Sequence, residues 1–265
     1  MVDVITTPGT QRLAFPAGYS VVRECLELQR QVPTRKGIAR ALGLSPLHPE
    51  ARSWFGGALG EIRVGSLLEQ LGPEWTVLHA VPVGTRGSDI DHVLVGPAGV
   101  FTVNTKRHPG ARIWLGERML MVAGQKTDHL RNSRHEAARA AKLLSAAAGE
   151  DVTVRSMLVL VGTGAITVKQ RPSDVVVLTD RALVKWLNGR IAQLTPPQVA
   201  VLAAAASDPR TWKQKKVAAI DTTQAERFEA LRVEEARAET VRLLWKAAGF
   251  AAVVIGAMSF ALGML

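Results

Sequence analysis

Residues 247–265 read AAGFAAVVIGAMSFALGML, nineteen positions without a charge. No other segment limits the chain as strongly, because a helix that crosses the hydrocarbon core of a bilayer takes about 20 predominantly apolar residues. A helix packed on a globular core keeps a polar stripe on its outer side, and this run has none. The sequence therefore predicts a single C-terminal transmembrane helix. Arg237, Arg242 and Lys246 lie just before the run, and only the terminal carboxylate follows it. The positive-inside rule then puts the bulk of the chain in the cytoplasm. The first residues, MVDVITTPGTQ, lack the basic and apolar regions of a signal peptide, so a single-pass, tail-anchored membrane protein is expected. Gly249, Ala252, Gly256, Ser259 and Gly263 recur at spacings of three and four. Such a stripe of small residues either serves self-association, by letting helix backbones approach, or simply reflects an alanine-rich segment.

The rest of the chain is expected to be a folded, basic protein. Hydrophobic residues make up 47%, enough to bury a core and too many for a disordered chain. The lone Cys25 excludes a disulfide scaffold and fits a reducing compartment. Lys and Arg number 33 against 23 Asp and Glu, a net charge of +10 that suits nucleic acid or anionic lipid. That surplus is spread out: residues 1–60 carry 7 basic against 4 acidic groups, residues 61–210 carry 18 against 13, and residues 211–265 carry 8 against 6. No segment is a dense basic arm, and part of the charge is explained by membrane orientation. Of the 33 basic residues 23 are Arg; with the abundant alanine, that suggests a bacterial origin in a GC-rich genome.

Periodicity divides the chain into five stretches. Residues 1–46 form an N-terminal extension with no assigned role, holding an extended start, a helix from about Tyr19 to Leu28 and a short one from Thr34 to Leu42. Residues 47–206 form an α/β domain with a mixed central sheet flanked by helices. A helix is expected from about Pro49 to Leu71, with Trp54, Ala58, Glu61, Gly65 and Leu68 on one face. Strands follow at Trp75–Val83, Asp89–Val95, Val100–Lys106 and Met119–Val122. Next come a helix at Thr127–Ala148, strands at Ser156–Val161 and Val175–Leu178, and helices at Asp180–Leu187 and Pro197–Ala206. Residues 207–223 make a basic linker containing Lys213, Lys215 and Lys216. Residues 224–246 make a charged helical stalk with opposite pairs Glu229/Arg232, Glu234/Arg237 and Glu239/Arg242 at i, i+3. Having few large apolar residues, the stalk is expected to bury little. The transmembrane helix, 247–265, ends the chain.

The stretch that carries chemistry runs SDIDHVLVGPAGVFTVNTK from Ser88 to Lys106. Gly96-Pro97-Ala98-Gly99 is a turn between two runs of β-branched residues. A regular hairpin pairs Val95 with Val100, and counting outward sets Asp91 opposite Asn104 and Asp89 opposite Lys106. Opposed residues share a face, so two carboxylates, an amide and an ammonium gather at one end of an otherwise apolar face. By itself this fits a solvated ion pair of little energetic weight. Glu61 tips the balance, because it lies on the inward face of its helix between Gly57, Gly60 and Gly65.

Taken together, GALGEIRVGSLLEQLGPEWTVLHAVPVGTRGSDIDHVLVGPAGVFTVNTKRHPG resembles the nuclease-related domain family, abbreviated NERD. The resemblance rests on Gly-Glu in a helix, Trp at the next strand, Asp-Ile-Asp-His-Val, Gly-Pro-x-Gly-Val-Phe, and a strand ending Thr-Lys before Pro-Gly. It is strong from Trp54 to Gly110 and weaker through Leu130–Leu144. It implies the restriction-endonuclease-like fold of PD-(D/E)XK nucleases, which hydrolyse DNA or RNA with Mg²⁺ or Mn²⁺. By resemblance Glu61, Asp91, Asn104 and Lys106 form the catalytic set. Glu61, Asp91 and Asn104 would be the metal ligands, while Lys106 orients water or offsets developing charge. Hard carboxylate oxygens suit Mg²⁺, and a nearby ammonium favours the charge that builds on phosphate.

One position departs from the family. Asn104 stands where an acid usually precedes the lysine by two residues, and an amide oxygen carries no charge and cannot act as a base. Asn132 stands where relatives often carry Gln on the following helix. Two functions from different classes follow: a membrane-tethered, metal-dependent nuclease, or a degenerate nuclease fold that binds nucleic acid or a partner without cutting. A membrane-surface scaffold contacting anionic lipid is a third. The remaining candidates read as structural. His92 points away from Asp91 as a core or surface histidine, and His79, His108, His129 and His135 lack zinc-ligand spacing. Arg131, Arg134, Arg139 and Lys142 read as a solvated helix face, and the glycines match no P-loop or dinucleotide fingerprint.

Overall fold

The computed structural model describes residues 13–30, 35, 37–83, 88–212 and 220–262. The extended start within residues 1–12, the linker lysines Lys213, Lys215 and Lys216, and Gly263 of the small-residue stripe lie outside the described residues.

Three helices, α1 (Tyr19–Gln29), α2 (Gly37–Ala41) and α3 (Ala51–Leu68), precede strands β1 (Thr76–Pro82), β2 (Asp89–Gly96) and β3 (Gly99–Arg107). Short strands β4 (Ile113–Leu115), β5 (Leu120–Val122) and β6 (Gln125–Thr127) lead into α4 (His129–Ala148). Then come β7 (Val154–Val161), β8 (Ile166–Val168), β9 (Val175–Thr179), α5 (Leu183–Asn188), α6 (Pro196–Ser207) and α7 (Thr223–Leu262). The expected strands and helices of residues 47–206 are present, with ends displaced by at most three residues. Strands β4, β6 and β8 were not expected; at three residues each they are too short to show an alternation.

The main sheet has the order β1-β2-β3-β7-β9. Its first three strands are antiparallel and its last three parallel, so the sheet is mixed, as the sequence predicts. A smaller sheet runs β6-β5-β4-β8. Strands β2 and β3 are buried along nearly their whole length, the pattern of central strands covered on both faces. On one face Val93, Val95 and Val100 pack with Ala140 and Leu144 of α4 and Leu202 and Ala206 of α6. On the other, Leu94, Phe101 and Val103 pack with Val64 and Leu68 of α3 and Leu183 and Leu187 of α5. Full burial of Phe101 contributes roughly 1.5–3 kcal/mol.

Two stretches behave differently from the sequence expectation. Leu13, Phe15 and Tyr19 of the extension join the core over β1 and β2, and the Leu13 amide donates to the Ser207 carbonyl at 3.0 Å. On α3 the buried stripe runs Ala51, Phe55, Ala58, Glu61, Val64 and Leu68, whereas Trp54 is 40% exposed. Phe55, one position along and about 100° round the helix, takes the inward place that the count assigned to Trp54.

Contacts divide the chain into two units, residues 1–21 with 56–220 and residues 22–55 with 221–265. In the second unit the charged half of α7 buries Phe228, Leu231 and Ala238, more than a bare stalk would. Phe228 lies 5.3 Å from Phe55, Ser45 donates to Glu235, and the Trp245 indole donates to the Ala41 carbonyl at 2.8 Å. Gly43, at φ +67°, passes so near α7 that a Cβ there would stand 2.7 Å from the Ala238 carbonyl oxygen. Of the expected local pairs, Glu229–Arg232 forms at 2.6 Å. Glu234 pairs instead with Arg40 and Arg242 with Glu235, both at 3.0 Å, because tertiary neighbours compete with positions along the helix. α7 runs without a break from Thr223 to Leu262 and is long and apolar enough to cross a membrane.

Candidate functional site

The β2–β3 ladder pairs Val95 with Val100, as counted from the turn, and proceeds through Leu94–Phe101 and Val93–Thr102 to His92–Val103. There it stops. β2 goes on pairing with β1 as far as Asp89–Pro82, and β3 goes on pairing with β7 as far as Arg107–Val161. The expected opposition of Asp91 with Asn104 and of Asp89 with Lys106 is therefore not a ladder pairing. The strands part where their polar side chains begin.

Asp91 fills the gap. Its Oδ2 accepts the Thr105 backbone N–H at 2.6 Å, a bond a strand carbonyl would otherwise take. The carboxyl is buried, and burial raises its pKa above the usual carboxylate range, against the opposing pull of Lys106 and the Thr105 amide. Glu61 reaches the same end from α3. Gly60 makes that approach possible, since a Cβ there would sit 3.1 Å from the Arg107 Cβ and 3.3 Å from the Thr105 Cγ2. Gly65 is needed too, packed on Ala17, whereas Gly57 faces open space. Glu61 is 6% exposed and its Oε2 has no hydrogen-bond partner. Burial first, then the charges of Asp91 and Asp89, push its pKa up to about 10.

Asn104 is 3% exposed. Its Nδ2 donates to Glu136 Oε1 at 2.5 Å, while its Oδ1 is left without a partner. Glu136 went unnoticed at the sequence level, and the exposed Asn132 does not take the helix position facing Asn104. A signal was present all the same. The buried stripe of α4 runs Leu130, Ser133, Ala137, Ala140 and Leu144, and Glu136 adjoins it three residues after Ser133. Ser133 is bonded to the Ser156 hydroxyl at 2.7 Å and donates to the Met157 carbonyl at 3.2 Å, which clamps α4 to β7. Residues three apart share a helix face, so the clamp turns Glu136 toward β3. Burial, then Asp91, raise its pKa to about 8.

Lys106 is half-buried and its Nζ donates to the Thr105 carbonyl at 3.1 Å. Its charge lowers the pKa of Glu61, Asp91 and Glu136 alike. Beside it the Nε2 atoms of His108 and His129 lie 3.0 Å apart in stacked rings. Burial, and after it the Lys106 charge, lower both histidines, His129 to about 4. A second pair crosses β1 and β2, with His79 and His92 joined Nδ1 to Nδ1 at 2.7 Å. His92 is fully buried, and burial, then His79, hold its pKa well below the ordinary value. Neither pair follows from sequence spacing.

The other candidates are structural. Arg131 pairs with Asp128 at 2.9 Å and Arg134 with Asp174 at 2.6 Å, while Arg139 donates to the Val83 carbonyl at 3.1 Å. Burial pushes the Cys25 thiol up to about 11, which leaves it protonated and unreactive at neutral pH.

Among the described residues, the oxygens without partners at this end include Glu61 Oε2, Asn104 Oδ1, Thr105 Oγ1 and Glu136 Oε2. They are hard oxygen donors in a cluster of buried carboxyl groups, which fits a hard divalent cation by type. Among the described residues no three His, Cys, Asp or Glu side chains converge as a metal-binding group. Residues 56–161 match the family model of the nuclease-related domain. No curated protein and no solved structure matches the chain.

Proposed function

We propose, from the premise that residues 56–161 carry a nuclease-related domain, that this chain is a membrane-tethered nuclease-like protein that hydrolyses phosphodiester bonds in DNA or RNA on the cytoplasmic side. Residues 47–206 would carry the chemistry and α7 the anchor. The observation that carries the proposal is the buried Glu61 carboxyl, its Oε2 unpartnered, within the electrostatic reach of Asp91 where the β2–β3 ladder ends. An unpaired buried carboxyl costs stability, and a site that binds a cation puts that cost to use.

Glu61, Asp91 and Asn104 would hold Mg²⁺ or Mn²⁺. Such an ion, when bound, polarises the phosphate and lowers the pKa of water. The Thr105 N–H fixes the Asp91 carboxyl in one orientation, so no rotamer entropy is lost on binding. The Lys106 ammonium stands beside all three acids and offsets charge growing on the phosphate oxygens. In the reaction a water oxygen bonds to phosphorus, the bond to the leaving oxygen breaks, and that oxygen takes up a proton. The full-length chain with Mg²⁺ or Mn²⁺ is expected to cleave nucleic acid, and Asp91→Ala and Lys106→Ala are expected to abolish cleavage. A wild-type chain inert with every metal and substrate, or active mutants, overturns the proposal.

A second function, binding without hydrolysis, is favoured by one observation: the side chain at the usual acid position is an amide, engaged with Glu136. Cleavage that appears only in Asn104→Glu would establish it. Self-association through Gly249, Ala252, Gly256, Ser259 and Gly263 is a separate proposal. It predicts a crosslinked dimer that Gly256→Leu abolishes, and a dimer that survives the substitution refutes it.

A further inference from the structure

We propose that Glu136 is the acid that β3 lacks, a metal ligand supplied from α4 and held in place by the Asn104 amide. The proposal rests on the site taking a divalent cation, and it changes which residues do so. Asn104 becomes a positioning residue whose Nδ2–H orients Glu136, and the charged ligands become Glu61, Asp91 and Glu136.

Three observations converge. The Asn104 Nδ2 to Glu136 Oε1 contact is 2.5 Å, which brings the helix carboxyl within one hydrogen bond of the side chain at position 104. The Ser133–Ser156 and Ser133–Met157 bonds fix the helix turn just before Glu136, so the carboxyl is presented by a rigid element. Finally, Glu61 Oε2 and Glu136 Oε2 are buried with no partner, as is the Asn104 Oδ1 between them in the chain. Glu61 and Asn104 are both more than nine-tenths buried, and a buried oxygen without a partner costs stability. A set of two glutamates and an aspartate supplies the negative charge that a hard cation needs, which Glu61 and Asp91 with a neutral amide do not.

The test is Mn²⁺ binding by the full chain in detergent micelles, measured calorimetrically without nucleic acid, with melting curves to establish that each variant is folded. Glu136→Gln is expected to weaken Mn²⁺ by about tenfold or more, as is Asp91→Asn. The double variant Asn104→Asp with Glu136→Gln, which moves the acid back to the strand, is expected to recover most of the lost affinity. Asn104→Asp alone is the control: a merely structural Glu136 predicts the same gain in affinity with Glu136 present as in the Glu136→Gln background, whereas a ligating Glu136 predicts little gain while it still fills the place. If Glu136→Gln binds Mn²⁺ like wild type while Asp91→Asn does not, the role of Glu136 is refuted and the metal site stands. If the folded double variant recovers nothing, the role of Glu136 as ligand is likewise refuted. If the wild-type chain binds no Mn²⁺ at all, the metal site falls and this proposal falls with it.

Discussion

At its turn the β2–β3 hairpin is closed, dry and apolar: Val95 faces Val100, Leu94 faces Phe101, and all four are buried. Four residues further along β2 the same two strands have separated, and a carboxylate occupies the space of the missing ladder bond. The contrast shows what the polar side chains cost. Where the ladder ends at His92–Val103, α3, β2 and α4 bring Glu61, Asp91 and Glu136 within electrostatic reach of one another. Apolar burial is concentrated at one end of the hairpin, and the buried acids at the other.

Substitutions at the two ends should therefore fail in different ways. The largest effect is expected from Asp91→Ala, a loss of about 10²–10³-fold or more in metal-dependent cleavage. It also strips the buried Thr105 N–H of its acceptor at a cost of about 1–3 kcal/mol, whereas Asp91→Asn keeps an acceptor and should melt nearer to wild type. At the closed end, Phe101→Ala should cost roughly 3–5 kcal/mol in a denaturant titration without a selective loss of metal affinity in the folded fraction. If Phe101→Ala abolishes metal binding in folded protein, the separation of roles is wrong. Gly96→Ala should cost about 1–3 kcal/mol, because its Cβ would run into the Trp75 ring.

The smallest effect is a slope. Glu61 and Glu136 hold their protons in the folded chain up to about pH 10 and about pH 8, while the unfolded chain releases them near pH 4.3 to 4.5, about the ordinary glutamate value. The folded state thus binds more protons through that window, and stability falls as pH rises from about 5 to about 8. The half-buried His79 and the buried His92 act in the opposite sense. Their pKa values are lowered, so their contribution is lost as pH falls below about 6.5. Melting temperatures measured with a chelator should decline on the alkaline side, and Glu61→Gln should flatten that decline. An unchanged slope in Glu61→Gln would mean that its carboxyl is not the buried acid described here.

Much of this was legible before any coordinates. The hairpin register followed from one turn and alternating valines, and Glu61 stood out as a charge on an inward helix face among glycines. What the sequence could not show was the parting of the strands, because periodicity assumes that a ladder continues. It also hid Glu136, although the same test that exposes Glu61, a carboxyl beside an apolar stripe, applies to α4. The histidine pairs escaped because 79 with 92 and 108 with 129 are neighbours only after folding. Local charge counting misassigned Glu234 and Arg242 for the same reason. Trp54 and Phe55 exchanged places because a stripe drawn through small residues leaves the helix phase loosely defined.

The unbroken course of α7 has a mechanical consequence. Forty residues of helix without proline span about 60 Å, and nothing along them acts as a hinge. A roll of the apolar half about its own axis turns the charged half through the same angle, carrying Phe228 across the face of Phe55 and Glu234 away from Arg40. The segment is a crankshaft more than a tether. Glu234 and Phe228 lie about four and about five turns before the apolar half, so along a continuous helix their contacts are fixed by its rotation.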